Sequence, residues 1–145
     1  KAFPELKTID LLTYDLKFRP FTKELIAKRI EAGCADTYNY EFIVVFGING
    51  SSTCLHSSDI PFVYHNTDKV PSADFGDGFK RLEHNMCSRF VNFAKYGEPQ
   101  VKGEVYWPAC TKEAEATMIY GANSEVRYDF DTEFLRELEK AIANK

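Results

Sequence analysis

The stretch "TYNYEFIVVF" constrains this chain more than any other. Read at a period of two, Tyr38, Tyr40, Phe42, Val44 and Phe46 share one face, while the opposite face passes from Asn39 and Glu41 to Ile43 and Val45. That is the pattern of a β-strand that becomes buried on both sides as it proceeds, as inner strands of helix-covered sheets do. Such a strand needs neighbours along its edges and layers over its faces. The segments "ATMIY" and "EVRYD", flanking Gly121 to Ser124, read as a hairpin and supply at most two of those neighbours.

Helices account for most of the rest. From Ile9 to Phe18 apolar residues recur at helical spacing, and Pro20 then stops that helix while suiting the first turn of another. In the second helix Phe21, Leu25, Ile26 and Ile30 form one stripe, with Gly33 placed as the stop. The segment "DFGDGFKRLEHNMCSRFVNFAKYG" predicts a third helix, with Phe79, Leu82, Met86, Phe90 and Phe93 three and four apart. Asp77 can cap its start and Gly97 its end, and His84 and Arg89 point away from the stripe. Phe134, Leu135, Leu138 and Ile142 make a final amphipathic helix. A few strands beside about four helices, with no repeat or linker, give an α/β chain. Residues 1–145 are then either a small α+β domain or an incomplete domain that belongs to a larger sheet.

The formal charge of −4 and the pI near 5.4 leave no basic face for nucleic acid or an anionic membrane. The longest apolar run, Phe42 to Ile48, is far too short to span a bilayer, and nothing at the start resembles a targeting peptide. A soluble protein is expected, with no nucleic acid and no membrane as partner. The chain opens at Lys1 without an initiator methionine, so sequence ahead of it is expected. Cys34, Cys54, Cys87 and Cys110 are widely spaced with no CxxC pairing, which indicates separate reduced thiols rather than a zinc ribbon or a disulfide framework. Asn49-Gly50-Ser51 would accept a glycan in a secretory protein, and a turn is its plainer use.

Chemistry concentrates in "CLHSSDIPFVYHN", Cys54 to Asn66. His56, Ser57, Ser58 and Asp59 contain the residue types of a hydrolytic triad, but consecutive residues do not surround an imidazole as a triad requires. Ser57, Ser58 and Asp59 are expected to serve as loop hydrogen-bonders, capping a short turn before Pro61. A Cys54 and His56 dyad fails on similar grounds, and Cys54 reads as a small buried side chain. Cys54, His56, Asp59 and His65 match no recurrent metal-ligand spacing, so neither metal nor cofactor is expected. What remains is His56, delivered by a loop just after a buried strand, where open α/β folds build their sites. Position alone leaves it either a catalytic base or a structural loop histidine.

"HSSDIPFVYHN", "MCSRFVNFAKYGEPQ" and "YWPACTKEAEATMIY", in that order, resemble the C-terminal third of the type-B carboxylesterases, the cholinesterase-like branch of the α/β-hydrolases. That family carries its catalytic histidine in a His-x-x-Asp/Glu-Leu/Ile-Pro-Phe/Tyr-Val-Phe setting. A helix reading Met-x-x-x-Trp-x-x-Phe-Ala-x-x-Gly-Asp-Pro-Asn follows, then Trp-Pro. Upstream, "DLLTYDLKFRPFTKELI" looks like the family's "TD-x-x-F-x-x-P" helix pair, and "YNYEF" like its Tyr-x-Tyr-x-Phe strand. The resemblance implies the C-terminal part of an α/β-hydrolase sheet, with His56 as general base and Asp59 at an acidic loop position that is not the triad acid. Phe62, Val63 and Tyr64 would continue the wall beneath the site.

Departures from the pattern carry information. Phe90 stands where the family usually has Trp, and Glu98 and Gln100 replace the usual Asp and Asn. Cys87 matches a disulfide cysteine of secreted animal cholinesterases, but the partner position holds Arg19. The resemblance therefore implies a bacterial, cytoplasmic branch, with secretion as the alternative. No Gly-x-Ser-x-Gly occurs in the 145 residues, and the family's order of Ser, Asp/Glu, His puts both missing partners upstream.

Two functions compete on this reading. One is a fragment of a serine carboxylic-ester hydrolase, inactive alone, whose partners are the upstream half of the same esterase and a small carboxylic-ester substrate. The other is a non-catalytic esterase-like binding or adhesion module, against which an intact His56 counts. In either case an exposed sheet edge on the strand Tyr38 to Phe46 is expected to invite homodimerisation.

Overall fold

The computed structural model describes residues 18–46, 54, 56–73 and 76–143. The helix expected from Ile9 lies outside them, save for Phe18. Helix α1 spans Arg19–Glu31, with Pro20 in its first turn and Lys28 and Arg29 in its last, where they oppose the negative end of the helix dipole. Gly33, at φ +64°, ends it as read, its amide bonding to the Ile30 carbonyl.

The expected stripe on α1 packs only in part. Ile26 is buried, but Phe21 and Leu25 are 69% and 59% exposed. The covered side runs through Arg19, Lys23, Ile26 and Ile30, which follow one another by three or four positions and so share a face. Its leading residue is the buried Arg19. The guanidinium donates to Asp131 through Nε at 2.6 Å and Nη2 at 3.0 Å, and to Glu115 at 2.8 Å. Lys23 reaches Glu115 at 2.9 Å and Asp131 at 3.1 Å, and Glu41 lies 3.9 Å from Arg19. Ionic partners, together with Ile26 and Ile30, hold this side of α1 inward.

Strand β1, Asn39–Phe42, runs parallel to β2, Ala116–Tyr120, which pairs antiparallel with β3, Glu125–Tyr128. The order is β1-β2-β3, so the expected hairpin is present and supplies β1 with one neighbour among the described residues. The register sets Asn39 opposite Thr117 and Phe42 opposite Tyr120, and the Ile43 amide extends the pairing by bonding to the Tyr120 carbonyl at 2.8 Å. All five residues of β2 are buried, as befits a central strand.

The aromatic face of β1 packs as read. Val44 and Phe46 belong to a core cluster with Phe62, Ala73, Leu82, Met86, Trp107, Met118 and Tyr120, and Tyr38, Tyr40 and Phe42 pack against it. The second face inverts the expectation: Asn39 is buried and Val45 is exposed. Asn39 donates to Thr117 at 2.9 Å and Glu115 at 3.2 Å, so it joins the Arg19 cluster at the start of the strand. Val45 lies past the end of that polar cover.

A parallel pair requires a crossover, and this one carries two helices. The short α2, Ile60–Val63, leads through two 3-10 turns to α3, Asp77–Tyr96. Gly97, at φ +79°, closes α3 with its amide on the Phe93 carbonyl at 2.9 Å. Gly76 rather than Asp77 occupies the position before the helix, and Asp77 instead pairs with Lys80 in the first turn. Leu82 and Met86 are buried on the expected stripe, Phe79 and Phe90 are half-buried, and Phe93 is 46% exposed.

Arg89 contradicts the reading that it points away from the core, being only 1% exposed. Its guanidinium donates to Asn85 at 2.8 Å and to the carbonyls of Pro99 and Val105 at 3.1 and 2.5 Å, which ties the connection after α3 back onto the helix. Gln100 completes that tie by exchanging two hydrogen bonds with the Trp107 backbone. Helix α4, Thr132–Ala143, buries Leu135 and leaves Phe134 partly exposed. Among the described residues, no helix is long and apolar enough to cross a membrane.

Candidate active-site loop

Two consecutive turns, His56 to Asp59, join the segment after β1 to α2. The His56 side chain stands at the surface with its imidazole stacked nearly parallel on the Phe18 ring, centroids 5.7 Å apart and planes 8° from coincidence. Phe18 immediately precedes α1, so the cluster that seats Arg19 also sets the backbone from which the Phe18 ring reaches the histidine.

The far end of the loop is held differently. The Asp59 carboxylate does not cap α2, contrary to the role expected of it, but accepts a 2.6 Å hydrogen bond from the Tyr40 hydroxyl on β1. The Asp59 carbonyl accepts amide protons from Phe62 and Val63, both at 3.0 Å. Phe62 is fully buried, 5.1 Å from Phe42 and 6.5 Å from Phe79 between ring centroids. Burial, and then the hydrogen bond and charge of Asp59, push ionisation of Tyr40 far above its ordinary value, so the hydroxyl remains a donor.

The arrangement removes the self-contained triad. Among the described residues no hydrogen bond joins Ser57 or Ser58 to His56, Ser58 is buried, and the Asp59 carboxylate is engaged by Tyr40. Cys54 is exposed rather than buried as read, yet desolvation followed by the charge of Glu41 pushes its thiol up to about 11. It is therefore protonated at neutral pH and a poor nucleophile. No group of three or more His, Cys, Asp or Glu side chains gathers as a metal site among the described residues. Of the three residues expected as a wall, Phe62 is core, Val63 is half-buried and Tyr64 is 71% exposed, so Tyr64 faces solvent.

Sequence reasoning missed Phe18 and Tyr40 as neighbours of the loop. Tyr40 left a trace in the Tyr-x-Tyr-x-Phe strand. Phe18 left none, because its contact joins residues 38 positions apart on separate elements.

The sequence pattern of the carboxylesterase family matches residues 7–137. The chain belongs to that family. Among curated relatives, the para-nitrobenzyl esterase of Bacillus subtilis (strain 168) is 31% identical over 87 residues, covering 58% of this chain and 18% of the relative. An acylcarnitine hydrolase of Rattus norvegicus is 34% identical over 53 residues, covering 37% of this chain and 9% of the relative.

Solved carboxylesterases share the fold. An esterase from the anaerobe Clostridium hathewayi, described as able to hydrolyse aliphatic aromatic polyesters, superposes with a TM-score of 0.86 at 37% identity. The match covers 97% of this chain and 28% of that one. A PNB esterase gives a TM-score of 0.63 at 27% identity over 74% of this chain and 22% of its own. The mixed α/β arrangement is thus that of the α/β-hydrolase esterases, and the chain spans under a third of the length of these relatives.

Proposed function

We propose that residues 1–145 form the C-terminal segment of a serine carboxylic-ester hydrolase and that His56 is its general base. The observation that carries this reading is an exposed imidazole on a loop anchored at both ends, within a chain of the carboxylesterase family. The imidazole would take the proton of a serine hydroxyl as the serine attacks the ester carbonyl, and return it to the departing alcohol. It would then repeat the cycle with water. Serine, triad acid and oxyanion donors would come from the upstream half of the enzyme, so this chain alone is expected to be inactive. The outer edge of β1, which has no strand beside it among the described residues, would receive that half, or a second copy in its absence. Small carboxylic esters are the expected substrates, in keeping with the relatives' names, and a bacterial cytoplasm the expected setting.

The test is turnover of a p-nitrophenyl ester by the enzyme that carries this chain. His56→Ala is expected to lower kcat by about 10³-fold or more without unfolding the protein. Retained turnover would remove His56 from the mechanism. A glycine or alanine in place of the upstream nucleophile would turn the reading to a binding module.

A further inference from the structure

We propose that Tyr40 is a positioning residue for His56, acting through its hydrogen bond to Asp59, an inference that rests on reading His56 as the base. An aspartate just ahead of a helix ordinarily turns its carboxylate onto the helix's own first amides. Asp59 stands in that position and makes no such bond. Its carboxylate reaches 19 residues back in sequence to the Tyr40 hydroxyl, at a length typical of a charge-assisted O–H···O bond.

What makes Tyr40 suitable is that its ring is packed from several sides. It sits edge-on to Phe90 and Tyr120 at 5.7 Å and to Trp107 at 6.3 Å, so α3, β2 and the segment after α3 all bear on it. The hydroxyl is therefore a fixed point at the rim of the core. Between that point and His56 lie only Ser57 and Ser58. Ser57 holds φ at +63°, a conformation that costs free energy for a residue with a Cβ and persists only where its surroundings impose it. The Tyr40–Asp59 bond on one side and the Phe18 stack on the other flank it, beside the Ile60 amide that donates to the Ser57 carbonyl at 3.2 Å. A general base displaced by about 1 Å can lose about a hundredfold in rate, so a latch of one hydrogen bond has a kinetic consequence beyond its share of stability.

The experiment compares Tyr40→Phe, Asp59→Asn and Asp59→Ala. The side-chain amide introduced by Asp59→Asn can still accept the tyrosine proton through its carbonyl oxygen, whereas the methyl group left by Asp59→Ala cannot. In the enzyme that carries the chain, Tyr40→Phe and Asp59→Ala are expected to speed amide hydrogen exchange about tenfold across residues 56–63 while leaving α3 unchanged, with Asp59→Asn close to wild type. In the same enzyme, Tyr40→Phe and Asp59→Ala are expected to lower kcat about tenfold at a KM within about twofold, and the double variant to be no worse than either alone. Unchanged exchange at 56–63 in Tyr40→Phe, or equal losses in Asp59→Asn and Asp59→Ala, would overturn the latch. If His56→Ala keeps turnover while Tyr40→Phe still loosens 56–63, the base assignment fails and the latch stands as a structural one.

Discussion

The two faces of β1 are held by opposite physics. On one, Tyr38, Tyr40 and Phe42 meet the apolar stripe of α3 in a layer whose cohesion comes from area removed from water. On the other, Asn39 and Glu41 meet Arg19, Lys23, Glu115, Thr117 and Asp131, whose cohesion depends on each charge finding its partner. A dry face tolerates loss in proportion to the atoms removed. A charged one fails abruptly, because deleting one ion strands the others away from water.

The largest break in that comparison should come from Arg19→Met. It removes the guanidinium that pairs with both Asp131 and Glu115, which Lys23 also reaches, and is expected to cost about 3–5 kcal/mol in urea denaturation at pH 7. The cost should shrink with acid. Burial pushes the Asp131 carboxyl upward, but the hydrogen bond and charge of Arg19, with Lys23, outweigh it and hold the group below its ordinary range. A depressed folded value means that the stabilisation is in place above the unfolded pKa, about 3.9, and is lost as pH falls through the folded one. Wild type should therefore approach the variant below that pH, and a gap that stays constant would show that Arg19 works by packing.

Next in size is Met86→Ala on the dry face. Removing this fully buried side chain is expected to cost roughly 3 kcal/mol, with the same deficit at pH 7 and in acid because no titrating group is involved. A strongly pH-dependent deficit would mean that the two faces are coupled through β1. The smallest effect should be a gain. Tyr38, Tyr40, Arg89, Phe90, Phe93, Pro99 and Trp107 line an open hollow of about 120 Å³, and Phe90 stands where the family usually has Trp. Phe90→Trp is expected to add about 1 kcal/mol, read as a higher thermal midpoint. A loss instead would show that the aromatic layer cannot admit an indole without moving Tyr40.

The dry face was legible in advance and the charged one was not. Alternation placed Tyr38, Tyr40, Phe42, Val44 and Phe46 correctly, and periodicity with Gly97 fixed α3, because both patterns are local. Arg19 and Asp131 are 112 positions apart and Asn39 and Thr117 are 78 apart, so no window of sequence contains both halves of either contact. Arg89 was misplaced for a related reason: its acceptors are mainly backbone carbonyls of a loop, and a carbonyl leaves no mark in the sequence. The loop itself was found through its histidine. Its anchoring was not, since the Asp59 carboxylate chose a partner on another element over the helix beside it.

The parallel pairing of β1 with β2 also bears on how the molecule comes into being. Asn39 finds Thr117 only after the chain has been extended by 78 positions and folded back, a long closure that is entropically slow. Until then a strand carrying two tyrosines, two phenylalanines and three aliphatic residues between Tyr38 and Phe46 waits without β2. During that interval its unpaired edge and apolar side chains are open to aggregation, which is where a chaperone would act.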